Sequence, residues 1–191
     1  MWENNNYTLR FEKNPFYRHE QVILASASYD GYLPMTFLRD SHGLIVRYET
    51  GSFLPLSGYR IERTADALYL MEKTLLILYS SPEHLLAPER ILLTTETVFY
   101  SKKSDQLKIA FLPHPSPGTN TSPVSPFRRD LILFLAQLRQ DLCDSRAEFL
   151  LRLARDMYYS CPAAGDMLRS IGLLRRELDA IPPDYETSAA S

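Results

Sequence analysis

The predicted fold depends most on the stretch His84-Leu85-Leu86-Ala87-Pro88-Glu89-Arg90-Ile91-Leu92-Leu93. Just before it, Ser81-Pro82 ends an apolar helical pattern, because a proline disfavours helical geometry in the residue that precedes it. From Ile91 onward, short apolar segments have the composition of β-strands. The stretch is therefore the predicted junction between a buried helix and a group of strands.

The helix predicted before the junction runs from Thr64 to Tyr79. One face carries Leu68, Met71, Leu75 and Leu78, and further apolar side chains lie on the other faces. A helix that is apolar nearly all round is buried. We therefore expect this helix to lie at the centre of the fold.

Residues 1–59 form a predicted β-rich N-terminal lobe. Alternating or short apolar segments that are typical of strands occupy residues 7–12, 21–25, 35–39 and 44–48. The last two flank Asp40-Ser41-His42-Gly43, whose glycine tolerates the positive φ of a hairpin turn. The hairpin is the most sharply defined feature of this lobe.

Residues 60–181 form a predicted helical lobe that includes a β-ribbon over 91–112 and a mobile, proline-rich loop over 113–126. Ser125-Pro126 is a helix start, and Ser145 with Glu148 forms a capping box for a second helix. A last helix sets Met167, Ile171, Leu174 and Leu178 on one face. Residues 182–191 are a predicted disordered tail.

Composition excludes several classes of protein. The 191 residues carry 21 basic and 23 acidic side chains, so no basic excess favours nucleic-acid binding. The longest apolar run, Leu75-Leu76-Ile77-Leu78-Tyr79, is far shorter than the roughly 20 residues of a membrane helix. Cys143 and Cys161 are interpreted as reduced core residues, since neither has metal-ligand spacing. We expect a cytoplasmic protein with no membrane insertion, no metal and no cofactor.

The order of these segments resembles that of a protein kinase. A kinase catalytic loop runs His-Arg-Asp, a short linker and Pro-Glu-Asn before an apolar strand; the Asp accepts the substrate proton and the Asn holds magnesium. Here His84 and Pro88-Glu89 remain, but the loop is one residue shorter, and leucine and Arg90 stand where the Asp and the Asn belong.

Other kinase parts are missing as well. The early glycines are isolated, Arg47 stands in place of the strand lysine, and Ala110-Phe111-Leu112-Pro113 stands in place of Asp-Phe-Gly. Leucine cannot replace a carboxylate that binds a hard dication. The resemblance implies a degenerate, pseudokinase-like α+β fold, with a small antiparallel β-rich N-terminal lobe, a mainly helical second lobe and no phosphoryl transfer.

The chain is also similar to a bacterial domain family of unknown function that is often found N-terminal to forkhead-associated domains. The motifs that carry this resemblance are Gly31-Tyr32-Leu33-Pro34, Tyr48-Glu49, Leu85-Leu86-Ala87-Pro88-Glu89-Arg90-Ile91 and Phe111-Leu112-Pro113. The resemblance implies a module of bacterial signalling or secretion machinery whose partner is another protein.

The candidate binding residues are His84, Glu89 and Arg90, in the degenerate catalytic-loop region. The expected function is a non-catalytic protein-interaction module or scaffold. The alternative is an enzyme with an unrecognised active site near His84; scattered histidines without Gly-x-Ser-x-Gly or His-Glu-x-x-His offer it no motif. A plainer interpretation also stays open, in which the stretch is only a buried turn between a helix and a strand.

Overall fold

The computed structural model describes residues 7–114, 126–144, 146–159 and 164–180. Within them the fold is α+β, as predicted, with strands concentrated before residue 110 and helices after it. The helices are α1 (Arg18–Ser26), α2 (Thr64–Ser80), α3 (Pro126–Leu138), α4 (Glu148–Tyr159) and α5 (Ala164–Ala180). The strands are β1 (Thr8–Phe11), β2 (Met35–Asp40), β3 (Gly43–Tyr48), β4 (Leu54–Pro55), β5 (Val98–Ser101) and β6 (Gln106–Ile109).

The first sheet has the antiparallel order β1-β3-β2 and contains the predicted hairpin. Strands β2 and β3 pair from Met35 opposite Tyr48 to Asp40 opposite Gly43. Gly43 has φ of +139°, and a Cβ there would lie 2.1 Å from the carbonyl oxygen of Phe11. Only glycine allows the turn and the neighbouring β1 to approach so closely.

The strand predicted at 21–25 is wrong, because these residues belong to helix α1. The Glu20 side chain accepts a 2.8 Å hydrogen bond from the Tyr17 backbone N–H and so satisfies a free donor at the helix start. Glu20 and Leu24 are buried one turn apart, whereas Val22 is 63% exposed. A short apolar run does not distinguish a strand from a helix, and here packing against β2 and the junction decides for the helix.

Helix α2 is confirmed within one residue, and its core face is buried as predicted. Leu68, Met71, Leu75 and Leu78 are each at most 2% exposed. The expectation that the helix is buried all round is wrong: Leu76 and Tyr79 are 51% and 57% exposed. Apolar composition alone does not show which side of a helix its neighbours cover.

The predicted ribbon is confirmed as the β5–β6 hairpin, which turns across residues 102–105 and pairs with β4 in a second antiparallel sheet. It is shorter than the predicted range of 91–112. Ile91 makes only an isolated bridge to Pro113, and residues 88–90 form a 3₁₀ turn. Pro88 suits the start of this turn, because its fixed φ and its missing N–H cost nothing there.

One continuous hydrophobic core extends from Phe16 to Leu178 and includes residues of both predicted lobes. Leu33 donates a backbone hydrogen bond to Ile109, and Ile109 donates one to Gly31, so the N-terminal segment is attached to the ribbon. The segments 1–59 and 60–181 therefore share a core, and their division into two lobes stays a prediction.

The C-terminal helices agree with their sequence patterns. Helix α3 begins at Pro126, and α5 buries the four predicted side chains, Met167, Ile171, Leu174 and Leu178. Ser145 of the predicted capping box, residues 115–125 of the predicted loop and the tail 182–191 lie outside the described residues.

The prediction of a buried Cys143 is wrong. Its side chain is exposed, in the connection between α3 and α4. Two hydrogen bonds hold this connection in place. The Cys143 backbone N–H donates to the Glu62 carbonyl oxygen, and the Asp144 carboxylate accepts a 2.6 Å hydrogen bond from the first backbone N–H of α2. The polar contacts, not the sulfur, position this segment. Cys161 lies outside the described residues.

Candidate functional site

Arg90, one of the three candidate binding residues, points into the molecule. Its guanidinium donates to both carboxylate oxygens of Glu20, at 2.6 and 3.1 Å, and to the carbonyl oxygen of Pro15 at 2.7 Å. The guanidinium carbon, Cζ, lies 3.8 Å from the ring centroid of Tyr17. The Glu20 side chain is 1% exposed. Arg90 therefore attaches α1 to the junction and is not available to a ligand.

His84 is held against the fold by ring stacking. Its imidazole lies 4.1 Å from the ring centroid of Tyr29, at an interplanar angle of 13°. The Tyr29 hydroxyl is hydrogen-bonded to the carbonyl oxygen of Ile77 and to the Ser80 hydroxyl, at the end of α2. Burial raises the pKa of Tyr29 above its ordinary value, which favours the neutral phenol. This arrangement fixes the end of α2 and the start of the junction.

Glu89, the third candidate, is exposed and makes no ion pair with the residues that the structure describes. It lines a groove of about 320 Å³ that we name the junction groove. The groove is bordered by the end of α2, the junction, the start of α3 and the facing ends of α4 and α5. Its lining residues are Leu75, Leu78, Tyr79, Pro82, Pro88, Glu89, Phe127, Arg128, Leu131, Met157 and Met167.

The junction groove has an apolar floor and a partly polar rim. Leu75, Leu78, Leu131 and Met157 are at most 2% exposed and form the floor, while Tyr79 projects from α2 at 57% exposure. Methionine side chains adapt to different apolar partners because they are unbranched and flexible. The groove can therefore accommodate apolar side chains of a partner.

The structure thus separates the three predicted residues. Arg90 is used inside the fold, His84 is stacked on a tyrosine, and only Glu89 borders a groove. His84 does not line the junction groove.

A second site, which sequence reasoning missed, lies at the other end of α2. Tyr69 and Tyr100 donate hydrogen bonds of 2.6 and 2.7 Å to the two carboxylate oxygens of Asp105, in the turn between β5 and β6. Lys73 approaches the same carboxylate at 3.3 Å. These three donors lower the pKa of Asp105 to about 2, with the Tyr69 hydrogen bond as the largest cause.

The tyrosines border a cavity of about 370 Å³, which we name the tyrosine pocket. Its lining residues are Leu56, Tyr59, Arg60, Ile61, Asp66, Tyr69, Leu70, Tyr100 and Lys102. The twelve tyrosines of the chain are a visible signal in the composition. The sequence does not show that three of them converge, because residues 59, 69 and 100 belong to a loop, a helix and a strand.

Two further features involve charged side chains. His114 Nε2 contacts the Asp130 carboxylate, whose side chain is 4% exposed, and Asp130 also borders a cavity of about 610 Å³ between the junction and α3. Another cavity, of about 450 Å³, lies between α4 and α5 and is lined mainly by Arg152, Arg155, Glu148 and Glu177. Neither set of residues was predicted.

The described residues contain no group of three or more histidine, cysteine, aspartate or glutamate side chains that could hold a metal ion. In the same part of the chain, no helix combines the length and the apolar character that crossing a bilayer requires. The junction groove and the tyrosine pocket each combine buried apolar side chains with polar side chains, and they are the candidate sites.

No protein-family model matches the chain, and no curated protein matches its sequence. The resemblance to degenerate protein kinases and the resemblance to the bacterial domain family stay predictions.

Proposed function

We propose that the protein is a non-catalytic, kinase-like protein-interaction module or scaffold in bacterial signalling or secretion machinery, and that it binds a partner protein in the junction groove. The observation that carries the proposal is the open groove of about 320 Å³ with a floor of buried leucine and methionine side chains beside the degenerate loop. Apolar side chains gain free energy when they leave water for such a floor.

The roles of Arg90 and His84 support a structural junction. Arg90 replaces the asparagine that a kinase uses for magnesium, and its guanidinium donates to Glu20 and to the carbonyl oxygen of Pro15. A guanidinium in this position repels a dication and cannot accept a proton from a hydroxyl group. The stretch then serves to hold α1, α2 and the ribbon in place around the groove.

Charge at the rim selects the partner. Glu89 is exposed on the junction side of the groove and makes no ion pair with the described residues, and Arg128 lines the groove on the α3 side. A partner segment is complementary to this groove when it has apolar side chains for the floor, a lysine or arginine opposite Glu89 and an acidic side chain opposite Arg128. The occupant is therefore an apolar segment of another protein that carries charges of both signs.

Site-specific photocrosslinking tests the proposal. A benzophenone amino acid at position 79 lies at the groove, whereas one at position 173 lies on α5 at a side chain that is 58% exposed. We expect a discrete protein to crosslink from position 79 and not from position 173. The purified partner should then lose about tenfold in affinity on Glu89→Lys or Tyr79→Ala.

Equal crosslinking from both positions, or a partner whose affinity neither substitution changes, contradicts the proposed groove. A separate measurement addresses the absence of catalysis: ATP with magnesium should leave the melting temperature unchanged, because a ligand that binds the native state raises it by mass action. A saturable increase of several degrees contradicts a non-catalytic, nucleotide-free module.

A further inference from the structure

The tyrosine pocket has the dimensions and surface of a small-molecule site. Its volume of about 370 Å³ accommodates one substituted aromatic ring, and its floor is formed by Leu56, Ile61 and Leu70, each at most 8% exposed. Ligand sites are typically concave and apolar, with a small number of polar groups that orient the ligand. This pocket lies at the opposite end of α2 from the junction groove.

Hydrogen bonds hold the aromatic walls in place. Tyr59 donates to the carbonyl oxygen of Tyr100 at 2.9 Å, and Tyr100 and Tyr69 both donate to Asp105. The rings of Tyr59 and Tyr100 are 5.9 Å apart in an edge-to-face arrangement. Because the hydroxyl groups are engaged, the rings present carbon surface to the cavity and need little reorganisation when a ligand binds.

The backbone of Asp105 supports this arrangement. Its φ is +52°, in the left-handed region that non-glycine residues rarely adopt. Lys73 donates to its carbonyl oxygen at 2.5 Å and also approaches its carboxylate. The turn is thus held by Tyr69 and Tyr100 of the pocket and by Lys73 beside them.

One charged side chain at the pocket makes no ion pair with the described residues. Arg60 pairs with Glu62 at 3.1 Å, and Asp66 pairs with Arg63 at 2.7 Å. Lys102 makes no ion pair with the described residues, and its ammonium lies 5.1 Å from the ring centroid of Tyr59. A ring bound in the pocket therefore meets one ammonium group whose charge no carboxylate of the described chain neutralises.

We infer that the tyrosine pocket binds a small aromatic anion, with its ring against Tyr59, Tyr69 and Tyr100 and its carboxylate or phosphate on Lys102. Edge and face contacts with the tyrosine rings recognise the ligand ring. The charge-assisted hydrogen bond from Lys102 recognises the anionic group. The inference is independent of the junction groove, which shares no lining residue with this pocket.

Calorimetric titration with 4-hydroxybenzoate, phenyl phosphate and neutral 4-hydroxybenzamide tests the inference. We expect at least one of the two anions to bind saturably, and the neutral amide to bind at least about tenfold more weakly. A preference for phenyl phosphate indicates a phosphotyrosine side chain as the natural source, and a preference for the carboxylate indicates a free aromatic acid.

Lys102→Met and Lys103→Met form the matched pair of variants, because the two lysines are exposed neighbours in one turn and only Lys102 lines the pocket. Lys102→Met should reduce the affinity for the anion about tenfold, and Lys103→Met should leave it within about twofold. Chemical shifts of the tyrosine rings should move on binding in the wild type.

Three results overturn the inference: neither anion binds at concentrations up to about 10 mM, the amide binds as well as the anions, or Lys102→Met binds as the wild type does. Lys102 is exposed, so its replacement does not threaten folding. None of these results bears on crosslinking at position 79, so the two proposals fail separately.

Discussion

Glu20 at the junction and Asp105 in the ribbon turn use the same chemistry at different depths. Each carboxylate accepts charge-assisted hydrogen bonds through both oxygens, but the Glu20 side chain is 1% exposed and the Asp105 side chain is 58% exposed. A buried charge that loses its partner has no water to replace it, whereas an exposed one does. The first cluster therefore holds the fold together, and the second shapes the surface of a pocket.

Helix α2 connects the junction with the ribbon turn. Its Tyr69 and Lys73 reach Asp105, and at its end Ser80 is hydrogen-bonded to Tyr29, on which His84 is stacked. The two regions are thus built on one element, and substitutions can disturb both clusters, one of them, or only the charge state of one carboxylate.

Leu75→Asp should abolish cooperative unfolding, because it places a charge at a side chain that is 1% exposed on the helix common to both regions. Leu76→Asp is the matched control one residue further along the same helix, at a side chain that is 51% exposed. Its free energy of unfolding should lie within about 0.5 kcal/mol of the wild type. Thermal denaturation followed by circular dichroism measures both. A Leu75→Asp variant that melts like the wild type contradicts the buried face of α2.

Arg90→Leu should disrupt the Glu20 cluster and leave the Asp105 cluster intact. The free energy of unfolding should fall by about 3 kcal/mol, because the Glu20 carboxylate stays buried without its partner. Arg10→Leu is the control, because the Arg10–Asp40 pair has a similar distance of 2.7 Å but side chains that are 43% and 33% exposed. Urea denaturation should show a loss of at most about 1 kcal/mol for that control.

The double variant Glu20→Gln with Arg90→Leu tests whether the uncompensated charge causes this loss of stability. The glutamine amide oxygen can still accept the Tyr17 backbone N–H, and no buried charge remains. The double variant should recover at least about 1 kcal/mol relative to Arg90→Leu. If the two substitutions are simply additive, the cost of Arg90→Leu does not come from an uncompensated carboxylate.

Asp105 should titrate with a pKa of about 2 in the folded protein, against an ordinary value of about 3.9. A lowered folded-state pKa contributes stability above about pH 4, and that contribution is lost as the pH falls through about 2. Carboxyl ¹³C chemical shifts measure the titration. Tyr69→Phe, which removes the largest cause, should raise the pKa. An unchanged pKa in that variant contradicts the hydrogen-bonded arrangement.

The elements that the sequence predicts well are those whose signal is local. Ser81-Pro82 ends α2 because the proline restricts the residue before it, and Pro126 begins α3. The hairpin at Gly43 follows from a conformation that glycine alone adopts without strain. The wrong predictions at 21–25 and 91–93 concern short apolar runs, for which periodicity does not separate helix, strand and irregular structure.

The candidate sites were less accessible to sequence reasoning. Glu89 was predicted as a binding residue and borders a groove, but the inward direction of Arg90 depends on Glu20, seventy positions away. Nothing local to Arg90 indicates that partner. In the same way, the tyrosine pocket requires side chains from a loop, a helix and a strand that are adjacent only after the ribbon packs against α2.

The sequence by itself determined the α+β class, the bounds of α2, the start of α3 and the two hairpins, because each depends on residue types and spacing within one segment. Only the tertiary structure decided that Arg90 is an internal partner of Glu20, that Leu76 and Tyr79 face outward, and that three tyrosines surround one cavity. These features depend on burial and on contacts between distant segments, and both arise only when the core closes.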